Sequence, residues 1–230
     1  MKYIFSNKPF YIVTILLILV TSACSDMNEL HDKYLATGEK IYVGRPDSAK
    51  VLAGENRLLL RYWVSDPKSK KMVIYWQLRN DSILVDVPAN RDSVDLILSN
   101  FPENNYNLEL ITMKEDFTSR SVALHVSGNS YGEQYQSTLE HHLIKSATLI
   151  SLEQMEIEWF SANDNEVGNE VVYLGKSGDT VSKFIPFDET VTNIDDYSGD
   201  LRYRTIYLPE ENAIDSFYTE YQLIETGSSL

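Results

Sequence analysis

The sequence predicts an all-β chain in which two tandem β-sandwiches follow an N-terminal export segment. Three observations predict it. Short runs rich in β-branched and aromatic residues recur after Glu39, separated by turn-forming clusters. The second half repeats the anchor residues of the first at an offset of about 98 positions, which argues for duplication. The N-terminus has a cationic start, an apolar run over residues 10–20, and small residues before Cys24, the one cysteine of the chain.

The elements follow in chain order. Lys2 and Lys8 precede Phe10-Tyr11-Ile12-Val13-Thr14-Ile15-Leu16-Leu17-Ile18-Leu19-Val20. This run is shorter than the roughly 20 apolar residues a bilayer-spanning helix needs, and Thr14 interrupts it. Thr21-Ser22-Ala23-Cys24 resembles the lipobox of bacterial lipoproteins, with Thr21 where Leu is commonest. The resemblance implies that residues 1–23 are a cleaved signal peptide and that Cys24 carries lipid on its sulfur and its amine, enough acyl chains for stable anchoring. Residues 24–38 read as a tether, with a short helix compatible with residues 27–35. Within it, Ser25-Asp26-Met27-Asn28-Glu29 is similar to the acidic surface-export signal of Bacteroidota lipoproteins, although Met27 and Asn28 interrupt the acids. A plain polar tether is the other reading.

Residues 39–128 hold the first sandwich. Its strand-like runs include Arg57-Leu58-Leu59-Leu60-Arg61-Tyr62-Trp63-Val64, Met72-Val73-Ile74-Tyr75-Trp76 and Tyr106-Asn107-Leu108-Glu109-Leu110-Ile111-Thr112. Ser65-Asp66-Pro67, Arg79-Asn80-Asp81 and Asn100-Phe101-Pro102-Glu103-Asn104 supply turns. Residues 129–142 form a linker, extended or helical, on which Tyr135 and Leu139 would share one helical face. Residues 143–230 hold the second sandwich, where Met155, Ile157 and Trp159 answer Leu58, Leu60 and Tyr62, Tyr173 answers Tyr75, and Tyr203 answers Tyr106. A repeat of this length matches one seven-stranded immunoglobulin-like or fibronectin-III-like sandwich of ~100 residues.

Alternation sorts inside from outside. In Met155-Glu156-Ile157-Glu158-Trp159 the acids take the solvent face and the other three the core. The same register puts Tyr62 inside and Arg61 and Trp63 outside, and puts Tyr106, Leu108 and Leu110 inside. With Val73 and Tyr75 taken as core, Met72, Ile74, Trp76, Ile111 and Met113 form an apolar outer patch, the kind of surface that marks an interface. Trp76 and Trp63 are then the sharpest candidates for ligand or partner contact, Trp76 either as a sugar platform or covered at the junction between the halves.

Composition narrows function. The chain carries 20 basic and 34 acidic residues, net −14, and losing the signal peptide removes Lys2 and Lys8 but no acid. Such charge repels nucleic acid. The single cysteine leaves no intrachain disulfide. No G-x-S-x-G, H-E-x-x-H or glycine-rich phosphate loop is present, so the chain reads as no enzyme, with no cofactor. Adjacent His141 and His142 point apart on a helix or strand and predict no metal site. The oxygen-rich loops Asn163-Asp164-Asn165-Glu166 and Asp195-Asp196-Tyr197-Ser198-Gly199-Asp200 offer ligands for Ca²⁺ but lack an EF-hand layout, and turns are the preferred reading.

The segment Leu201-Arg202-Tyr203-Arg204-Thr205-Ile206-Tyr207-Leu208-Pro209-Glu210, followed by Ala213-Ile214-Asp215-Ser216-Phe217-Tyr218, resembles DUF4998, a family of Bacteroidota lipoproteins of unknown function. Ala36-Thr37-Gly38-Glu39-Lys40-Ile41-Tyr42 and Ser65-Asp66-Pro67 extend the likeness. It departs at Tyr62, a position more typically Trp. Family members resemble companions of SusC/SusD-type polysaccharide-uptake systems. The resemblance implies an outer-membrane lipoprotein facing the cell exterior, with polysaccharide or a SusC/SusD-type complex as partner and no catalytic residues to carry over. The expected function is a binding or spacer accessory in glycan acquisition. The alternative is a structural or protein-interaction module with no glycan affinity.

Overall fold

The computed structural model describes residues 42–89, 93–225 and 227. The expected signal peptide, Cys24 and the short helix after it lie outside the described residues. Among the described residues no helix is long and apolar enough to cross a membrane.

The first sandwich has seven strands. β1 (Ser48–Ala53), β2 (Arg57–Trp63) and β5 (Val94–Ser99) form one antiparallel sheet in the order β1-β2-β5. β3 (Lys71–Trp76), β4 (Asp81–Asp86), β6 (Asn104–Met113) and β7 (Leu124–Ser130) form the other, in the order β4-β3-β6-β7. Strands alternate because successive side chains point to opposite faces. Leu58, Leu60 and Tyr62 therefore all reach the core, while Arg57, Leu59, Arg61 and Trp63 face out. Leu98, Phe101, Tyr106, Leu108 and Leu110 complete that core. The Tyr106 hydroxyl donates to the Pro102 carbonyl at 2.9 Å, closing the corner before β6.

The β3 face assignment needs correction. Ile74 pairs opposite Leu110, and Met72 opposite Thr112. Directly opposed residues share a face, so Met72 and Ile74 are fully buried in the main core and Trp76 packs at its margin. Val73 and Tyr75 take the outer face instead. Ile111 and Met113 lie on that outer face as expected, but they are buried there in a separate cluster with Val73. The expected exposed patch does not exist. A second difference concerns the start of the linker, expected at residue 129, because Asn129 and Ser130 are the end of β7. Its glycine serves close approach, because a Cβ on Gly128 would sit 2.3 Å from Val51 Cγ1.

The second sandwich repeats the topology. β8 (Ile144–Ser151), β9 (Gln154–Trp159) and β12 (Val191–Ile194) form one sheet. β10 (Glu166–Gly175), β11 (Thr180–Pro186) and β13 (Tyr197–Tyr207) form the other, whose last strand is split into β14 (Phe217–Tyr218) and β15 (Gln222–Leu223), both paired with β13. Met155, Ile157, Trp159, Val171, Tyr173, Ile185 and Tyr203 fill its core. Two tandem fibronectin-III-like sandwiches are thus present, as the strand rhythm predicts, but Tyr173 does not answer Tyr75, since Tyr173 is core and Tyr75 lies on the outer face.

Residues 43–230 belong to one compact unit. A short helix, α1 (Glu133–Ser137), lies between the sandwiches. Glu103 caps it by accepting from the Gln134 and Tyr135 amides at 2.8 and 2.9 Å. Tyr135 packs edge-on against Tyr131 and Phe217, with ring centroids 4.8 and 5.1 Å away. The β13–β14 connection reaches back to the first sandwich. There Asp215 accepts from the Glu55 amide and from Arg57 Nε, each at 2.8 Å, and also pairs with Arg57 Nη2. The Ile214 amide donates to the Ala53 carbonyl at 2.7 Å, and Glu210 accepts from Asn129 Nδ2 at 2.6 Å and the Tyr131 hydroxyl at 2.8 Å.

Candidate functional site

Trp76 is the one contact candidate that the fold brings into a cleft. It ends β3, where the chain turns toward β4. Its ring leans on Phe101 with centroids 4.9 Å apart, and Phe101 leans in turn on Tyr106 at 4.9 Å. This chain of rings is worth about 0.5–1.5 kcal/mol per pair beyond the area it buries. It fixes the indole at the end of the core, half-exposed, as one wall of a cleft of about 330 Å³. Gln77, Leu78, Asn104, Asn105, Asn107 and Glu109 line the rest with Tyr106.

The cleft is asymmetric in chemistry. One side offers the indole and the side chain of Leu78. The other offers amides from the start of β6, where alternation throws Asn105 and Asn107 outward as Tyr106 and Leu108 go in. Asn105 is held by donating from Nδ2 to Asn129 Oδ1 at 2.8 Å. Asn107 is exposed, and its side chain has no hydrogen-bond partner among the described residues. Arg79 donates from Nε to Glu109 Oε2 at 2.7 Å and lies 5.4 Å from the Tyr75 ring centroid. That bond to Glu109 raises the guanidinium above its ordinary pKa and orients the Glu109 carboxylate.

The turn beside the cleft is strained. Gln77, Leu78 and Arg79 have φ of 50°, 56° and 67°, three consecutive left-handed residues without a glycine or asparagine. Left-handed backbone costs an ordinary L-residue roughly 1–2 kcal/mol. The result holds Leu78 at 96% exposure on the rim of the cleft. An exposed leucine on a strained turn is more readily understood as a contact residue than as a packing residue.

The other candidates go elsewhere. Trp63 faces out from the end of β2, half-buried, on the opposite sheet. Met72 and Ile74 are core, and Ile111 and Met113 fill the outer cluster, so none of the four reaches the cleft. His141 and His142 diverge as expected. His141 Nε2 lies 2.8 Å from the Glu220 carbonyl. His142 is buried, with Nε2 donating to the Phe160 carbonyl at 2.7 Å and Nδ1 paired with Glu166. Burial alone would lower His142, but the Glu166 hydrogen bond, the Phe160 carbonyl and the Glu166 charge outweigh it and raise the ring above its ordinary pKa. The pair is part of a network in which Thr205 Oγ1 accepts from the His142 amide and donates to Asn169 Oδ1, both at 2.8 Å. Its role is structural, since it fastens the end of the linker to the second sandwich. Glu166 also borders an open hollow with Asn163, Asp164 and Asn165. Among the described residues, no group of three or more acids, histidines or cysteines is arranged to hold a metal.

Leu78, Asn105, Asn107 and Glu109 were not singled out by sequence. The sequence places Asn104 in a turn and Asn107 and Glu109 in the strand from Tyr106, without marking them as a site, and nothing local marks Leu78.

The family model of DUF4998, described as a domain of unknown function, matches residues 24–217. The chain belongs to that family. No curated protein matches this DUF4998 chain. Among solved structures it is similar to a segment of two fibronectin type III domains from chicken tenascin, at 14% identity and a TM-score of 0.31, covering 77% of this chain and 96% of that one. It is also similar to the FN1–FN3 domains of chicken CNTN1, at 10% identity and a TM-score of 0.45, covering 79% of this chain and 63% of that one.

Proposed function

We propose that this DUF4998 protein is a non-catalytic lipoprotein of the outer membrane, anchored through Cys24 and facing the cell exterior, which binds glycan in the Trp76 cleft as an accessory to polysaccharide uptake. The observation that carries the reading is the cleft itself. A partly exposed indole at the core margin lines one cleft with exposed amides and an oriented carboxylate. A pyranose ring needs that pairing, an apolar surface for its C–H face and planar polar groups for its hydroxyls. The lipobox, the acidic residues after Cys24, the likeness to companions of SusC/SusD-type systems and a family match that begins at residue 24 support the location.

The test is affinity electrophoresis of the full-length protein in detergent, through gels containing neutral polysaccharides. Asn107→Ala and Trp76→Phe keep the core filled and should each reduce retention. If no polysaccharide retards the wild type, or if both variants migrate with it, the cleft reading fails.

A second reading, a protein-interaction module without glycan affinity, is favoured by β4. Among the described residues this edge strand pairs only with β3, and it exposes Ile83 and Leu84. Unprotected edges of this kind invite strand addition. Recovery of a stoichiometric outer-membrane partner by a protein that no polysaccharide retards would favour it.

A further inference from the structure

The outer face of the second sandwich carries a row of rings and guanidinium groups that the fold leaves uncovered. Phe184 on β11 stands opposite Glu170 on β10, and Glu170 stands opposite Arg204 on β13. Arg204 donates from Nε to Glu170 at 2.6 Å, and its Cζ lies 4.2 Å from the Tyr218 ring centroid and 4.8 Å from that of Tyr221. Arg202, two residues earlier on the same face, lies 5.1 Å from the Tyr221 centroid. The Tyr221 and Ser182 hydroxyls both donate to Glu170, at 2.9 and 2.8 Å. Arg202, Arg204, Glu170, Tyr218 and Tyr221 are thereby oriented by one another.

What remains uncommitted is ring surface and one guanidinium. Phe184 is 53% exposed and Tyr221 42%. The tip of the Phe184 ring covers bare backbone, with Cε2 and Cζ each 3.0 Å from where a Cβ on Gly168 would lie. The ring is therefore laid down on the sheet, with its other face toward solvent. Arg202 is exposed, and among the described residues it pairs with no carboxylate, so its N–H groups face outward while Tyr221 fixes its plane. Arg204 with Tyr218, and Arg202 with Tyr221, also anchor the split strand β14–β15. Phe184 is not explained by that task, nor are the N–H groups of Arg202.

We propose that this face is a second glycan-binding platform, for a neutral polysaccharide chain lying across the strands. From Phe184 to Tyr221 the row crosses three strand spacings, about 14 Å, which suits several sugar units rather than one. Exposed rings take pyranose faces, and Arg202 donates to ring hydroxyls. The charge selects the neutral class. Arg204 is balanced by Glu170, and a chain of net −14 repels polyanions. Two platforms in one compact unit would bind one long chain by avidity, with the second contact made at raised effective concentration. The proposal rests on the glycan reading above but on different residues.

The test uses the full-length protein in detergent and affinity gels containing mixed-linkage β-glucan, xylan or mannan. The variants are Phe184→Ala, Arg202→Gln and Phe184→Trp, each with a thermal melt. The expected result is retention of the wild type, weakened about tenfold in the first two variants at unchanged melting temperature and kept in Phe184→Trp. Equal retention of wild type and the Phe184→Ala, Arg202→Gln double variant overturns the platform. If Asn107→Ala still abolishes retention in that case, the Trp76 cleft stands alone. If none of the three gels retards the wild type, both glycan sites fall.

Discussion

Replacing Glu166 with Gln should reverse the direction in which stability of the second sandwich responds to pH. The side chains of His142 and Glu166 are 1% and 0% exposed. A carbonyl can only accept, so Nε2 of His142 carries a proton toward Phe160, while Nδ1 faces both the Glu166 carboxylate and, at 3.2 Å, the Asn169 amide nitrogen. The ring's pKa is raised above its ordinary value despite burial, so the folded protein holds the second proton to higher pH than the unfolded chain does. A raised histidine contributes stability that is complete below its unfolded pKa of roughly 6.5 and fades as pH rises through the folded value. In Glu166→Gln the counter-charge is gone and only burial and the carbonyl remain. Burial then depresses the ring, the unfolded chain binds the extra proton, and stability rises with pH. Leaving one charge of a buried pair uncompensated costs about 3–5 kcal/mol, and the ring limits that loss by shedding its proton, so the lower end applies in acid. At about 2–4 °C per kcal/mol for a unit of this size, the variant should melt roughly 6–12 °C lower near pH 5.5. The gap should close on the alkaline side, where a neutral ring can accept from the Gln amide. Melts followed by near-ultraviolet circular dichroism across about pH 5 to 9 would show it. A constant gap at all pH, or melting within about 2 °C of wild type in acid, would refute a charged His142.

Three further outcomes are expected. Leu78→Gly should raise stability by about 1 kcal/mol, because glycine adopts the left-handed backbone without strain, and should weaken polysaccharide retention by removing the rim of the cleft. Asp215→Ala should cost about 1–2 kcal/mol after allowance for the exposure of Arg57, and should broaden the distance distribution between spin labels placed one on each sandwich; an unchanged distribution would mean the β13–β14 connection does not hold them. Gly168→Ala should fail to fold or lose more than about 2 kcal/mol, since φ there is +154° and the new Cβ would lie 2.2 Å from the Ile185 carbonyl oxygen; a wild-type melt would show that β10 can relax.

The fold was legible where one face of a strand is polar. Glu156 and Glu158 mark the outside of β9, and Arg57 and Arg61 mark that of β2, so Met155, Ile157, Leu58 and Leu60 could be placed without a structure. β3 was not legible, because Met72-Val73-Ile74-Tyr75-Trp76 is apolar on both faces and either parity buries good core residues. Only its pairing with β6, about 36 residues away, decides. Trp76 was singled out for a patch that does not form, and its actual neighbours lie across the turn and on β6. His142 looked idle because its partner Glu166 is 24 residues distant. The row from Phe184 to Tyr221 joins three strands and a connection, a spacing that no local pattern encodes. The left-handed turn at Gln77-Leu78-Arg79 was silent because glycine and asparagine, the usual signals, are absent.

The β13–β14 connection changes what the repeat means. The two halves share a strand order, as copies would. Yet Glu55, Arg57, Asn129 and Tyr131 of the first half are bonded to side chains near the C-terminal end of the second, and the family match runs through both halves to Phe217, which is buried against Tyr131 and Tyr135. A cut in the linker would therefore leave two damaged edges rather than two modules. What natural selection can shuffle or lengthen in this lineage is the pair, so new architectures built from it should gain sandwiches two at a time.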